Sequence, residues 1–259
     1  MPPARALFYL TTLGVLVLTV RAIFAGPPPL YLCIVISIAY VAMILVGVLS
    51  LRLRVFVDAV TRGPAKARGV ALTFDDGPHP VFTRKVLDLL DRAGVRATFF
   101  LIARKAEQHP ALVREIIQRG HSIGLHSYAH DRLFAMRSAS RVRRDLQKGL
   151  DVLQEITGTR PDLFRPPIGH SNPTIARVAA ELELTIVGWT ESGHDGLESA
   201  QPTRVVSRIR AALSNRAIVL LHDAPEQGEY EPAAIRALPG ILEAIADQRL
   251  CVVPLEGWL

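Results

Sequence analysis

From residue 69 onward, short apolar runs alternate with longer stretches in which apolar residues return every three or four positions. The short runs are Val70–Phe74, Ala97–Ile102, Ser122–His126, Leu163–Arg165, Leu184–Trp189, Ala217–His222 and Cys251–Leu255. Short apolar runs bounded by turn residues predict strands. Between them, Val81–Ala93 puts Val86, Leu89 and Leu90 on one face and stops at Gly94. Pro110–Arg119 does the same with Leu112, Val113, Ile116 and Ile117, stopping at Gly120. Ser140–Thr157 uses Val142, Leu146, Leu150 and Leu153, stopping at Gly158. A period near 3.6 closed by glycine predicts helices. Asn172-Pro173 opens another, as N-cap and first-turn proline. Helices over about 202–213 and 232–247 complete the set. Such alternation predicts a parallel sheet with helices outside. Seven strands in about 190 residues suit a barrel with fewer than eight units, or an open doubly wound sheet. Both architectures collect functional groups at the C-terminal ends of the strands.

Upstream the periodicity disappears. Ala6–Val20 and Leu30–Ser50 are almost unbroken apolar runs. The second has about the ~20 residues needed to cross a bilayer. The first reaches that length if Arg21 snorkels and the run continues through Ala25. Gly26-Pro27-Pro28-Pro29 breaks the chain between them. Neither run has a polar face, so the expectation is a transmembrane helical hairpin with spans at about 6–25 and 30–50. A cleavable signal peptide is a second reading of the first run; Arg21, so close to a cut after Ala25, argues against it. Residues 51–68 read as a basic juxtamembrane linker and 69–259 as one soluble domain.

Charge sharpens this division. The 259 residues carry 30 basic and 24 acidic side chains, a net charge of +6. Residues 1–50 hold only Arg5 and Arg21. Residues 51–70 hold Arg52, Arg54, Arg62, Lys66 and Arg68 against Asp58, and the remainder is balanced. The excess is therefore juxtamembrane and does not point to nucleic acid. It suits contact with anionic lipid headgroups. Lys and Arg beside a span favour the cytoplasmic side, and an even number of spans puts both chain ends together. Cys33 and Cys251 form no disulfide framework, and Cys251 reads as a core residue.

Candidate chemistry gathers at the predicted strand ends. Asp75 and Asp76 follow Val70–Phe74, and adjacent carboxylates resist ionising together without a positive partner. An Asp-Gly turn would explain them alone. His126 and His130 then add two imidazoles at i, i+4, so one carboxylate and two histidines could share a divalent metal with a position left open. Arg165 ends the fourth run, and from that rim it could hold a carboxylate ionised. Asp195 follows the fifth run, and His222 ends the sixth. Ser127 and Ser192 lack an evident base. His79, His109, His121, His170 and His194 get no role, although His170 and His194 fall in rim loops. Glu191 and Asp223 read as solvated loop acids.

Taken together these residues resemble the polysaccharide deacetylases with a NodB homology domain, carbohydrate esterase family 4. Five family motifs fall in order over about residues 69–225: Thr73–Pro78, His126–His130, Arg165-Pro166-Pro167, Trp189 with Asp195, and Leu220–Asp223. The resemblance implies an incomplete, distorted (β/α)7-type barrel. It implies Asp75 as catalytic base, Asp76, His126 and His130 as metal ligands, and Arg165 orienting the base. Asp195 would tune His222, the general acid, and the backbone N–H near Ile168 would hold the oxyanion. The expected ion is zinc, and the expected substrate an N-acetylated saccharide or lipid-linked sugar. A catalytically silent glycan- or lipid-binding module on the same fold is the alternative. Family members mostly modify cell-surface polymers, so the resemblance favours an extracytoplasmic domain where the charge bias favours a cytoplasmic one. Two departures stand out: Ile168 replaces the usual aromatic residue, and Gly196 the usual tryptophan. Both remove flat surface on which sugar rings pack.

Overall fold

The computed structural model describes residues 1–258, so the last residue of the expected 69–259 domain lies outside it. Seven strands form one parallel sheet in the order β5-β4-β3-β2-β1-β7-β6. They are β1 (Val70–Asp75), β2 (Thr98–Leu101), β3 (Ser122–Leu125), β4 (Leu163–Phe164), β5 (Thr185–Ile186), β6 (Glu191–Ser192) and β7 (Ala217–His222). The sheet curls into a half-barrel, the expected incomplete (β/α)7 architecture. Its outer face is covered by α3 (Phe82–Ala93), α4 (Ala103–Gln108), α5 (Pro110–Gln118), α6 (Ala139–Thr157), α7 (Pro173–Glu181), α8 (Pro202–Ala212) and α9 (Ala233–Asp247). Gly94 and Gly158 close α3 and α6 in the left-handed conformation expected of them. Asn172 caps α7, its side chain accepting from the Ile175 N–H.

Alternation along the strands decides what faces the barrel interior. In β1, Val70, Leu72 and Phe74 join the large core under the helices, and Ala71 joins a small inner cluster with Phe100, Leu163, Val187, Ile218 and Leu255. A Cβ on Gly124 would lie 2.6 Å from Phe100, so glycine there lets the aromatic ring fill the interior. Continuing the same two-residue step brings Thr73 and Asp75, Arg165, and finally His222 to the inner face. Asp75 and His222 are register partners across β1 and β7.

Three expectations need correction. Cys251–Leu255 is not a strand. Only Val252 bridges Val70; Pro254 has no N–H to continue the ladder, and the chain turns at Leu255–Trp258. The seventh strand is instead β6, whose polar Glu191–Ser192 carries no apolar signal; Glu191 is half-buried in a ladder and is no solvated loop acid. Cys251 is exposed, not core. The fourth and fifth strands are also shorter than expected. Prolines 166 and 167 end β4. Beyond β5, Gly188 turns to the carbonyl of Val60.

Residues 51–68 pack onto this scaffold. Leu51, Val55, Val57 and Ala59 are buried, and Val60 and Arg62 bridge to Val187 and Ala217. Before them, α1 (Pro3–Ala25) and α2 (Leu30–Leu49) are long and apolar enough to cross a membrane, with mean hydropathy of 2.0 and 2.9. The two touch each other through Thr12 and Tyr40, 2.9 Å apart, and through stacked Phe8 and Tyr40.

Candidate active site

The rim at the C-terminal strand ends holds a cleft of about 580 Å³ that includes Asp75, Asp76, His126, His130, Ile168, Trp189, His222 and Tyr230. Backbone conformation is unusual around it. Asp76, Ser127, His130, Ile168 and His194 all take positive φ, a region that costs an L-residue free energy. Each sits where a strand has just ended and the chain must turn sharply to present a side chain.

Asp76, His126 and His130 offer ligand atoms that all lie within 4.8 Å of one another. His130 Nε2 is 3.3 Å and His126 Nε2 3.6 Å from Asp76 Oδ1. The arrangement fits a cation, because Asp76 Oδ1 is buried and has no hydrogen-bond partner. Two imidazoles and a carboxylate are also a donor set for a divalent transition ion. His126 Nδ1 lies 2.7 Å from the carbonyl of Arg165. A carbonyl only accepts, so Nδ1 carries the proton and Nε2 presents its lone pair to the site. Burial, reinforced by the neighbouring His130, pushes the His126 imidazole well below its ordinary range, so it stays neutral.

Asp75 lies against Arg165, whose Nη1 donates to Oδ1 at 2.6 Å and to Thr73 Oγ1 at 3.0 Å. Arg165 is fully buried. Its other nitrogens donate to the carbonyls of Val187 and Gly188, and its plane lies 4.1 Å over the Phe100 ring. Burial raises the Asp75 carboxyl to about 6; Arg165 and His222 pull it back toward the ionised form. Across the cleft, fully buried Asp195 accepts from the His222 backbone N–H at 2.8 Å and lies 3.2 Å from His222 Nδ1. Burial opposes charge on His222, but Asp195, Asp76 and Asp75 together outweigh it and push the imidazole up to about 10. The site thus brings together all of Asp75, Asp76, His126, His130, Arg165, Asp195 and His222, with Ile168 on the wall.

Several neighbours carried no sequence signal, or a misleading one. Glu226 Oε1 stands 3.3 Å from His130 Nδ1 and is itself gripped by Arg132. Tyr230 donates to the carbonyl of Gly196 at 2.6 Å and puts an aromatic ring beside the position where the family's tryptophan is missing. Lys105 donates to the carbonyls of Asp76 and Pro225, fixing the turn that carries Asp76. Asp223, expected to be solvated, is fully buried and bonded to Thr83; burial raises its carboxyl to about 7. The run of acids after His222 was the one available hint. Of the two rim histidines without a role, His194 lines the cleft and His170 does not. Ser127 and Ser192 accept from the backbone N–H groups of His130 and His194, and neither has an imidazole to activate it.

A half-barrel with a carboxylate–imidazole trio at its rim, an arginine-held carboxylate on one side and an aspartate-held imidazole on the other, places the protein among the carbohydrate esterases. The family model for polysaccharide deacetylases matches residues 62–187. The chain belongs to that family, carbohydrate esterase family 4, whose deacetylases hydrolyse the amide of N-acetyl sugars. It is 33% identical over 180 residues to a peptidoglycan-N-acetylglucosamine deacetylase of Bacillus cereus, covering 70% of this chain and 64% of that one. It is 30% identical over 209 residues to a chitooligosaccharide deacetylase of Sinorhizobium fredii, covering 74% and 93%. A crystal structure of a peptidoglycan N-acetylglucosamine deacetylase, in complex with 4-naphthalen-1-yl-N-oxidanyl-benzamide, superposes with a TM-score of 0.71 at 31% identity. That match covers 77% of this chain and 91% of the other.

Proposed function

We propose that the protein is a membrane-anchored, zinc-dependent hydrolase that removes an N-acyl group, in the first place acetyl, from an amino sugar in a glycan or lipid-linked saccharide. The observation that carries this reading is the division of charge across one cleft. Asp75 is held by Arg165 on one side, His222 is held protonated by Asp195 on the other, and the Asp76–His126–His130 trio lies beside them. A zinc ion on that trio would supply a Lewis acid for the amide carbonyl and lower the pKa of an attacking water.

The protein's own groups account for the proton traffic. Asp75, as carboxylate, takes a proton from the water as it attacks the carbonyl carbon. Arg165 aligns that carboxylate and favours its ionised form. Ile168 lines the cleft, and in this reading its backbone N–H donates to the oxyanion. Asp195 orients His222 through Nδ1, leaving Nε2 to protonate the departing nitrogen. The C–N bond breaks, and the products are a free amine on the sugar and a carboxylate. Two groups of opposite protonation in one site meet the requirement for acid and base at a single pH.

The test is a screen of the zinc-loaded full chain against N-acetylated mono- and oligosaccharides, reading acetate release. Acetate from at least one of them is expected. A folded, metal-loaded protein that releases none would instead be the catalytically silent binding module.

A further inference from the structure

The rim of the cleft is tied to the foot of the apolar hairpin. The backbone N–H of Ser171, three residues beyond Ile168, donates to the carbonyl of Val48 in the last turn of α2 at 2.9 Å. Gly47 is buried there, and a Cβ on it would lie 2.8 Å from Phe56 and 3.2 Å from Val55, so the helix end sits flush on the domain. The next rim residue, Asn172, donates through its side chain to the carbonyl of Ala135 at 2.5 Å. The loop after His130 and the loop after Arg165 therefore join each other and the end of α2. The start of α1 leaves from the same foot. Arg5 donates to the carbonyl of Val55 at 2.9 Å and pairs with Asp58 at 3.0 Å, while Phe8 packs edge-on against Phe56. A bilayer entered by both helices begins at the level of these loops.

Exposed apolar side chains collect at the same level. Among the described residues beyond 50, seven large ones are exposed. Leu133, Met136 and Ile168 stand on the two joined loops, Leu197 stands across the mouth of the cleft, and Leu53 lies at the hairpin foot. Val81, at the start of α3, and Ile117, at the end of α5, fall outside this group. Single exposed apolar residues are ordinary, but five of seven shared between the cleft mouth, the two joined loops beside it and the hairpin foot are not. A soluble glycan strand gains nothing from Met136, which is 81% exposed, whereas a hydrocarbon chain does. The patch also runs on into the hairpin, and this continuity says what covers it.

We propose that the substrate is an amino sugar carried on a membrane lipid of the bilayer that holds the hairpin. The sugar rises into the cleft, and its hydrocarbon tail runs past Ile168, Leu133 and Met136 back to the membrane. This rests on the deacetylase reading above and narrows its substrate to a glycolipid.

Two measurements on the full chain in zinc-loaded proteoliposomes test it. In the first, acetate release is compared for N-acetylglucosaminides with a methyl or a hexadecyl aglycone, and for N-acetylated chitotetraose. The hexadecyl compound should be turned over with at least about tenfold higher kcat/KM. The double substitution Leu133→Ser, Met136→Ser should remove most of that advantage through KM and leave the methyl glycoside unchanged. Equal turnover of the two aglycones, or chitotetraose as the best substrate, overturns the proposal and leaves the deacetylase reading standing. Release from none of the three defeats that reading, and this one with it. In the second, Met136→Cys and Ile117→Cys, each in a Cys33→Ser, Cys251→Ser background, carry a fluorophore, and the vesicles contain lipids spin-labelled near the headgroup. The label at 136 should be quenched and the label at 117, at the far end of the domain, should not. No difference between them overturns the proposal whatever the activity assay gives.

Discussion

A buried and a half-buried histidine face the same cleft, one neutral and one positively charged. His126 is buried, with a backbone carbonyl behind Nδ1 and a second imidazole beside it; its imidazole is pushed well below its ordinary range. His222 is also desolvated, yet Asp195 behind Nδ1 and two further carboxylates in front push it up to about 10. In the proposed reading the same side chain serves as a metal ligand in one place and an acid in the other, and the group behind Nδ1 makes the difference. A carbonyl fixes the tautomer without adding charge; a carboxylate fixes it and adds a negative charge.

The most drastic way to break the contrast is to remove the ion. Chelation should abolish acetate release, and zinc should restore it, with bound metal counted by mass spectrometry in step with activity. Next in size, Asp75→Asn should lower kcat by roughly 10²–10⁴-fold, the usual worth of a general base. Metal content should not change, because Asp75 is read as base and not ligand; loss of the metal along with the rate would reassign it. Asp195→Asn tests the His222 half directly. A raised imidazole pKa means the protonated acid is present at low pH and lost as pH rises through about 10. The same proton contributes folding stability fully below the ordinary value near 6.5 and loses it over that same rise. The alkaline limb of the pH–rate profile should therefore lie near 10 and fall toward 6.5 in the variant. At pH 8 that is a loss of about 30-fold. An unmoved limb would mean that another group is the acid.

Smaller effects sharpen the picture of what stands behind each ligand. Glu226→Gln removes the charge 3.3 Å from His130 Nδ1 and should weaken zinc binding by at least about tenfold, read by competition with a chromogenic chelator. Tyr230→Phe removes one hydrogen bond to the Gly196 carbonyl. It should raise KM about fivefold at most and leave kcat nearly unchanged, the expected size for one neutral bond.

The same contrast separates what was legible in the chain from what was not. Asp75, His126, Arg165 and His222 end apolar runs, and the two-residue step of a strand carries them to one rim without further information. The expected helices and their glycine stops follow from a 3.6 period in the same way. Glu226 and Tyr230 sit in a loop with no period, and their partners lie 96 and 34 positions away in the chain. β6 is legible only from its neighbours: two half-buried polar residues become a strand because β7 offers an unpaired edge. Asp223 looked like surface because nothing in its local sequence reveals that Thr83, 140 residues earlier, closes over it. Residues 51–68 looked like a tether because their charges dominate the composition, while Leu51, Val55, Val57 and Ala59 are buried.

Ile168 holds φ at 60°, a conformation glycine adopts freely and a β-branched residue only at a cost of about 1–3 kcal/mol. An engineer seeking a sturdier protein would choose glycine there first. The substitution should raise the melting temperature, since the backbone already has the shape that glycine prefers. In the glycolipid reading the isoleucine side chain is what this position contributes, so thermal robustness and substrate choice pull in opposite directions at this one residue. A stabilised Ile168→Gly enzyme would then be a less discriminating one.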